Sequence, residues 1–180
     1  MPKGVFQADL EEIRTRAREK MGEGAVTDAY KADRKRVIEI LNEVLATEIV
    51  CVLRYKNHYY MAQGLNREPV AAEFQKHASE EQQHADMVSE RITQLGGEPD
   101  LNPAGLATRS HSEYRGGDSL VDLIKEDLVA ERIAIATYSE IVRWLDNDDP
   151  TTRRMMESIL AMEEEHADDM LDLLGRMGER

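Results

Sequence analysis

Residues 70–95 read VAAEFQKHASEEQQHADMVSERITQL, and their spacing decides the fold. At steps of three and four, Val70, Phe74, His77, Glu81, His84, Val88, Ile92 and Leu95 fall on one face. That is the period of an amphipathic helix and not the alternation of a strand. The stretch starts near Pro69, a residue tolerated in a first helical turn, and stops at Gly96-Gly97. Its apolar stripe carries Glu-x-x-His at the centre, and a carboxylate and an imidazole at i and i+3 point the same way from a helix.

Three other stretches have the same construction. The first runs from about Asp28 to Gln63, with Thr27 or Asp28 as N-cap and Gly64 past its end, and its stripe is Leu41, Leu45, Glu48, Val52, Tyr55, Tyr59. The third begins after Gly116-Gly117, where Ser119 and Asp122 resemble a capping box, and closes around Asn147. Its stripe is Ile124, Leu128, Glu131, Ile135, Tyr138, Val142, Leu145. The fourth begins at Asp149-Pro150, fades at Gly175, and shows Ile159, Glu163, His166, Met170, Leu173, Met177. Glu48 precedes Glu81 by 33 residues and Glu131 precedes Glu163 by 32, an internal repeat of a helical hairpin. A shorter charged segment, Ala8 to Met21, predicts one more helix. The expected organisation is an N-terminal extension over 1–27 and an all-α four-helix bundle over 28–180.

Connection lengths set the topology. Gly64–Glu68 and Asp146–Asp149 are short, so each joins antiparallel neighbours. Glu98 to Gly117 contains Pro99, Pro103 and Gly105, and about 20 extended residues reach roughly 60 Å. A helix of about 26 residues is only some 40 Å long. The linker can therefore return along the bundle as a crossover between the second and third helices; the alternative is a functional or disordered loop.

Composition narrows the function. The chain has 180 residues, with 23 Lys and Arg against 36 Asp and Glu, a net charge of −13. This argues against nucleic acid as a partner, which needs a concentrated basic footprint. The one basic segment, RTRAREK (14–20), is interleaved with Glu11, Glu12 and Glu19. A single cysteine, Cys51, excludes an intramolecular disulfide and multi-cysteine metal sites and points to a reducing compartment. No apolar run has membrane-spanning length, and Met1–Leu10 lacks a leader's apolar core. A cytoplasmic protein without a membrane partner is expected.

Four glutamates at one level of a bundle require counter-charge, because each unpaired buried carboxylate costs several kcal/mol and neighbours repel. No lysine or arginine occupies the stripes. Two divalent cations would bring +4 against −4, with Glu48, Glu81, His84, Glu131, Glu163 and His166 as the metal-ligating and catalytic set. Oxygen-rich ligation with imidazole and no thiolate suits iron or manganese, with zinc as competitor. Tyr55 and Tyr138, two turns after Glu48 and Glu131, either hydrogen-bond a ligand carboxylate from a neighbouring helix or simply pack. Asp127 either orients His84 or His166 or makes a surface salt bridge. Cys51 is expected as a small apolar residue and His77 as a packed histidine, the alternative for His77 being a transient metal stop. His58 and His111 stand outside the constellation.

The motifs EIVCVLRY (48–55), EQQH (81–84), DLVAE (127–131) and EEEH (163–166) resemble the ferritin-like superfamily, most closely its bacterioferritin and Dps-like branch, over about residues 30–178. The resemblance implies a ferritin-like four-helix bundle with a ferroxidase centre for two irons per chain. Glu48 and His84 would stand on one side, Glu131 and His166 on the other, with Glu81 and Glu163 bridging and Tyr55 beside them. Bacterioferritins place a haem-ligating methionine directly after the second-helix glutamate; here it is Gln82, so no haem is expected by that route. The chain ends soon after His166, as in Dps-like ferritins that form dodecameric cages, although the cysteine pair frequent in that group is not matched at Ile133. The implied function is iron storage and detoxification, with Fe(II) oxidised by O2 or H2O2 in a homo-oligomer. The alternatives are a di-iron or di-manganese oxidase or peroxidase without storage, a DNA-binding protectant, and an ion-paired structural bundle.

Overall fold

Helices begin where a side chain can accept hydrogen bonds from the free N–H groups of a first turn. The protein's structure, a computed structural model, describes residues 7–64 and 67–178. The chain forms α1 (Leu10–Glu19), α2 (Arg34–Met61), α3 (Arg67–Gln94), the single turn α4 (Leu106–Arg109), α5 (Leu120–Leu145) and α6 (Pro150–Arg176), with no strand among the described residues. Asp9 accepts from Glu12 N, Ser119 from Asp122 N and Asp149 from Thr152 N, at 3.0, 3.1 and 2.9 Å. Residues 65–66, within the first short link, and residues 1–6, within the stretch read for a leader, lie outside the described residues.

One helix start differs from expectation. The cap of α2 is Asp33, which accepts from Arg36 N at 3.2 Å, and not Thr27 or Asp28. Thr27 instead closes a turn with Tyr30 (N to O, 2.9 Å), and Lys31 N donates to Asp148 O at 3.3 Å. Val26, Tyr30 and Ala32 pack on the bundle core. Either aspartate can cap a helix; the tertiary contacts of 26–32 choose the later one.

α2 pairs with α3 and α5 with α6, as two hairpins. The connection between them is an ordered strap along α2. Asn42 Nδ2 donates to Glu98 O (3.3 Å), Asp100 N donates to Asn42 Oδ1 (2.7 Å), and His111 N donates to Thr47 Oγ1 (2.9 Å). Further on, Cys51 Sγ meets Ser112 Oγ at 3.6 Å, Arg54 Nη1 donates to Glu113 O at 3.3 Å, and His58 Nε2 lies 3.0 Å from Arg115 O. These anchors climb roughly 24 Å of helix at 1.5 Å per residue, so the linker is the lengthwise crossover and not a disordered loop. Its first turn needs glycine: Gly96 has φ +78°, and a Cβ on Gly97 would come within 2.8 Å of Ile38.

A small apolar cluster, Ala46, Val50 and Leu106, seats α4 on α2, and the rest of the core forms two larger ones. One gathers Leu41, Leu45, Val88, Ile92, Leu145 and Ile159; the other gathers Phe74, Val70, Leu123, Ile124, Met170 and Leu173. Between them lies a polar layer supplied by all four long helices. Helix α1 buries none of its residues, and no helix among the described residues is long and apolar enough to cross a membrane.

Candidate metal centre

The polar layer holds Glu48 of α2, Glu81 and His84 of α3, Glu131 of α5, and Glu163 and His166 of α6, none more than 5% exposed. Their ligand atoms form two groups, Glu48 with Glu81, His84 and Glu163, and Glu131 with Glu81, Glu163 and His166. Within each group the atoms lie within 4.8 Å of one another, and Glu81 and Glu163 belong to both. His84 Nδ1 is 3.2 Å from Glu48 Oε2 and 3.1 Å from Glu163 Oε1; His166 Nδ1 is 3.4 Å from Glu81 Oε1 and 3.3 Å from Glu163 Oε2. Both imidazoles thus turn the same ring nitrogen, Nδ1, inward.

The tyrosines cross between hairpins. Tyr55 of α2 donates to Glu131 Oε1 of α5, and Tyr138 of α5 donates to Glu48 Oε1 of α2. Each terminal glutamate therefore has one oxygen fixed by a phenol and the other turned to the centre. Packing alone would not require this reciprocity, so the hydrogen-bonding role is the one realised.

Burial and mutual repulsion shift the titration of the cluster. Burial, then the charge of Glu81, pushes Glu48 up to about 8. Burial, Glu81 and Glu163 raise Glu131 well above the carboxylate range. Burial and Glu163 also press on Glu81, but its contacts with His166, His84 and Glu48 outweigh them and hold it below its ordinary value. Burial disfavours the charged imidazoles, yet the surrounding carboxylates prevail, Glu163 first: His84 is raised far above its usual range and His166 to about 11.

Even so, Glu81 Oε1, Glu131 Oε2, both Glu163 oxygens and His166 Nδ1 have no hydrogen-bond partner among the described residues. Buried acceptors are rarely left unmade. Five orphaned ligand atoms aimed at one another, in a set of carboxylates and imidazoles without thiolate, fit two divalent cations.

The family model for the ferritin-like domain matches residues 38–179. The chain belongs to the ferritin-like family. Bacterioferritin of Brucella melitensis is 31% identical over 148 residues, covering 80% of this chain and 88% of that one. The dodecameric thioferritin of Bacteroides fragilis, a bacterioferritin-related protein, is similar at 33% identity and a TM-score of 0.79, covering 82% of this chain and 89% of that one. Dps from Thermosynechococcus elongatus shares the fold at 19% identity and a TM-score of 0.75, over 78% and 90% of the two chains.

This ferritin-like chain departs from the sequence expectations around the centre. Asp127 orients neither His84 nor His166, and it is not on the surface. It is fully buried, accepting from Arg54 Nε at 2.9 Å and meeting His58 Nδ1 at 2.8 Å. Arg54 is therefore a buried cation that the stripes did not reveal, and His58, set aside in sequence, completes its cluster. Arg54 and His58 are four apart on α2, the spacing of one helix face, which is the signal that was present. The residue that does hold a histidine is Glu80, whose Oε2 lies 3.0 Å from His166 Nε2. His77 is packed as expected, stacked on His166 with centroids 4.0 Å apart. Burial first, then His166, presses it down to about 3. Gln82 is exposed and donates to Asp86 at 3.0 Å. Cys51 is a buried free thiol, and burial pushes its pKa well up.

Proposed function

We propose that this protein is a ferroxidase that oxidises Fe(II) and stores the product as Fe(III) mineral in a homo-oligomeric cage. The observation that carries the reading is the pair of overlapping ligand groups sharing Glu81 and Glu163, with orphaned oxygens between them. In this reading the two ferrous substrate ions bind Glu48 with His84 and Glu131 with His166, and Glu81 and Glu163 bridge them. Each ion gives one electron to a shared oxidant. Dioxygen takes two electrons and two protons to leave as hydrogen peroxide, or hydrogen peroxide takes two electrons and two protons to leave as two waters. The residues' part is to fix both ions at one distance so that electrons leave as a pair. Tyr55, Tyr138 and Glu80 orient the ligands, and the protons lost from Glu48, Glu131 and the imidazoles on loading make uptake stronger as pH rises. Manganese and zinc compete for the same donors. The similarity to the B. fragilis dodecamer supports a cage of that size.

Stopped-flow oxidation tests the reading. Two Fe(II) per chain oxidise in a fast phase, and Glu81→Gln or His84→Ala abolishes it; wild-type rates in either variant sink the assignment. Native mass separates storage from its alternative, since a hollow cage accords with storage and a dimer with an oxidase or peroxidase lacking it.

A further inference from the structure

A centre this buried needs a route for cations, and on this chain side chains of the right chemistry mark one. Among the described residues, four groups of carboxylates and imidazoles have metal-site spacing. Two compose the centre. The others are His77 with Glu80 and His166, and Glu73 with His77 and Asp169. Each shares a residue with the next, so the four form one line from the interior to the α3–α6 surface. On a chain with 36 Asp and Glu, no such group of described residues stands apart from that line.

His77 is the link. Its side chain is fully buried, with Nδ1 3.2 Å from the Tyr55 oxygen and Nε2 3.2 Å from Asp169 Oδ2 and 3.6 Å from Glu73 Oε1. Tyr55 gives its own proton to Glu131. Nε2 faces Asp169 and Glu73, and two carboxylates this close need a cation between them; one that also ligates Nε2 leaves the ring's proton on Nδ1, where the Tyr55 oxygen accepts it. Lys76 supplies a weak one: its Nζ lies 3.0 Å from Glu73 Oε1 and 3.1 Å from Asp169 Oδ2, on a side chain 45% exposed. Exposed ion pairs bind loosely, and the lysine stem can swing into water.

We propose that Glu73, His77 and Asp169 form a third divalent-cation site at the outer edge of the centre, which Lys76 occupies until a cation displaces it and from which cations pass inward beside His77. The inference rests on the reading of the centre as a two-cation site. Its oxygen and imidazole donors suit Fe(II), Co(II) or Mn(II).

Co(II), added without iron to the full chain and followed by equilibrium dialysis and visible absorption, tests it. Wild type takes up three ions per chain. The surface variant Glu73→Gln/Asp169→Asn takes up two, and fills them more slowly by about tenfold or more, because the negative mouth that concentrates cations is gone. Lys76→Met binds the third ion more tightly than wild type. Two ions in wild type, three in the double variant, or unchanged third-site affinity in Lys76→Met overturns the proposal and leaves the two-cation centre standing. Fewer than two ions in wild type overturns both.

Discussion

Helix α5 carries two buried acids one turn apart, Asp127 and Glu131, in opposite circumstances. Asp127 is met by Arg54 and His58, and the same pair reaches the carbonyls of Glu113 and Arg115, so the cluster closes its own charge and clamps the crossover. Glu131 faces Glu81, Glu163 and His166, receives one phenol proton, and keeps an orphaned oxygen. Both side chains are fully buried. What differs is whether the chain supplies the cation, and that separates a structural ion pair from a site for something that comes from outside.

The comparison breaks first at the clamp. Asp127→Ala leaves Arg54 buried without its partner, at a cost of roughly 3–5 kcal/mol, or on the order of 10 °C in Tm. Thermal unfolding should show this while Co(II) stoichiometry at the centre stays that of wild type. A joint loss of stability and metal uptake would mean that the two clusters are one unit. At the centre the expectation reverses: Co(II) at about a hundredfold over Kd raises the stability of wild type by about 2.7 kcal/mol for each site it fills, and Glu81→Gln loses the share that belongs to the centre.

pH sharpens the contrast. In the metal-free protein Glu48 titrates near 8 and His166 near 11, against ordinary values of 4.5 and 6.5. Folded chains thus hold protons that unfolded chains release, and this contribution is complete below the ordinary values and lost as pH rises through 8 and then 11. Glu81, held below its ordinary value, acts in the opposite sense only under acid conditions. Melting curves of the metal-free protein should fall in Tm between pH 6 and 9, and loading with Co(II) should flatten or invert that slope. The smallest effect belongs to Glu80→Gln, which loosens His166 and not His84. One of the two centre ions should bind about tenfold more weakly, and isothermal titration would show equal weakening of both if Glu80 has no such role.

Much of this was legible in sequence because helical period and residue chemistry are local. The stripes placed every one of the six central residues on a buried face, and the 33- and 32-residue intervals set them at one level. The tyrosine spacing from Glu48 and Glu131 likewise survived folding as two reciprocal hydrogen bonds. Asp127 was misassigned because a stripe records only which face a residue occupies. It does not say that Arg54, just off the α2 stripe, would be buried by the returning linker. The same holds for Asp33 over Asp28 as the α2 cap, and for Glu80 over Asp127 as the partner of a histidine.

By itself, the sequence determined the helices, the hairpin repeat and the acidic centre, since each follows from spacing along a single helix and from the cost of burying charge. The tertiary structure alone decided which acids are answered from within the chain. That choice depends on the path of residues 98–117 along α2 and on the α3–α6 contact, which bring Arg54 to Asp127, Glu80 to His166, and His77 with Asp169 to the edge of the centre.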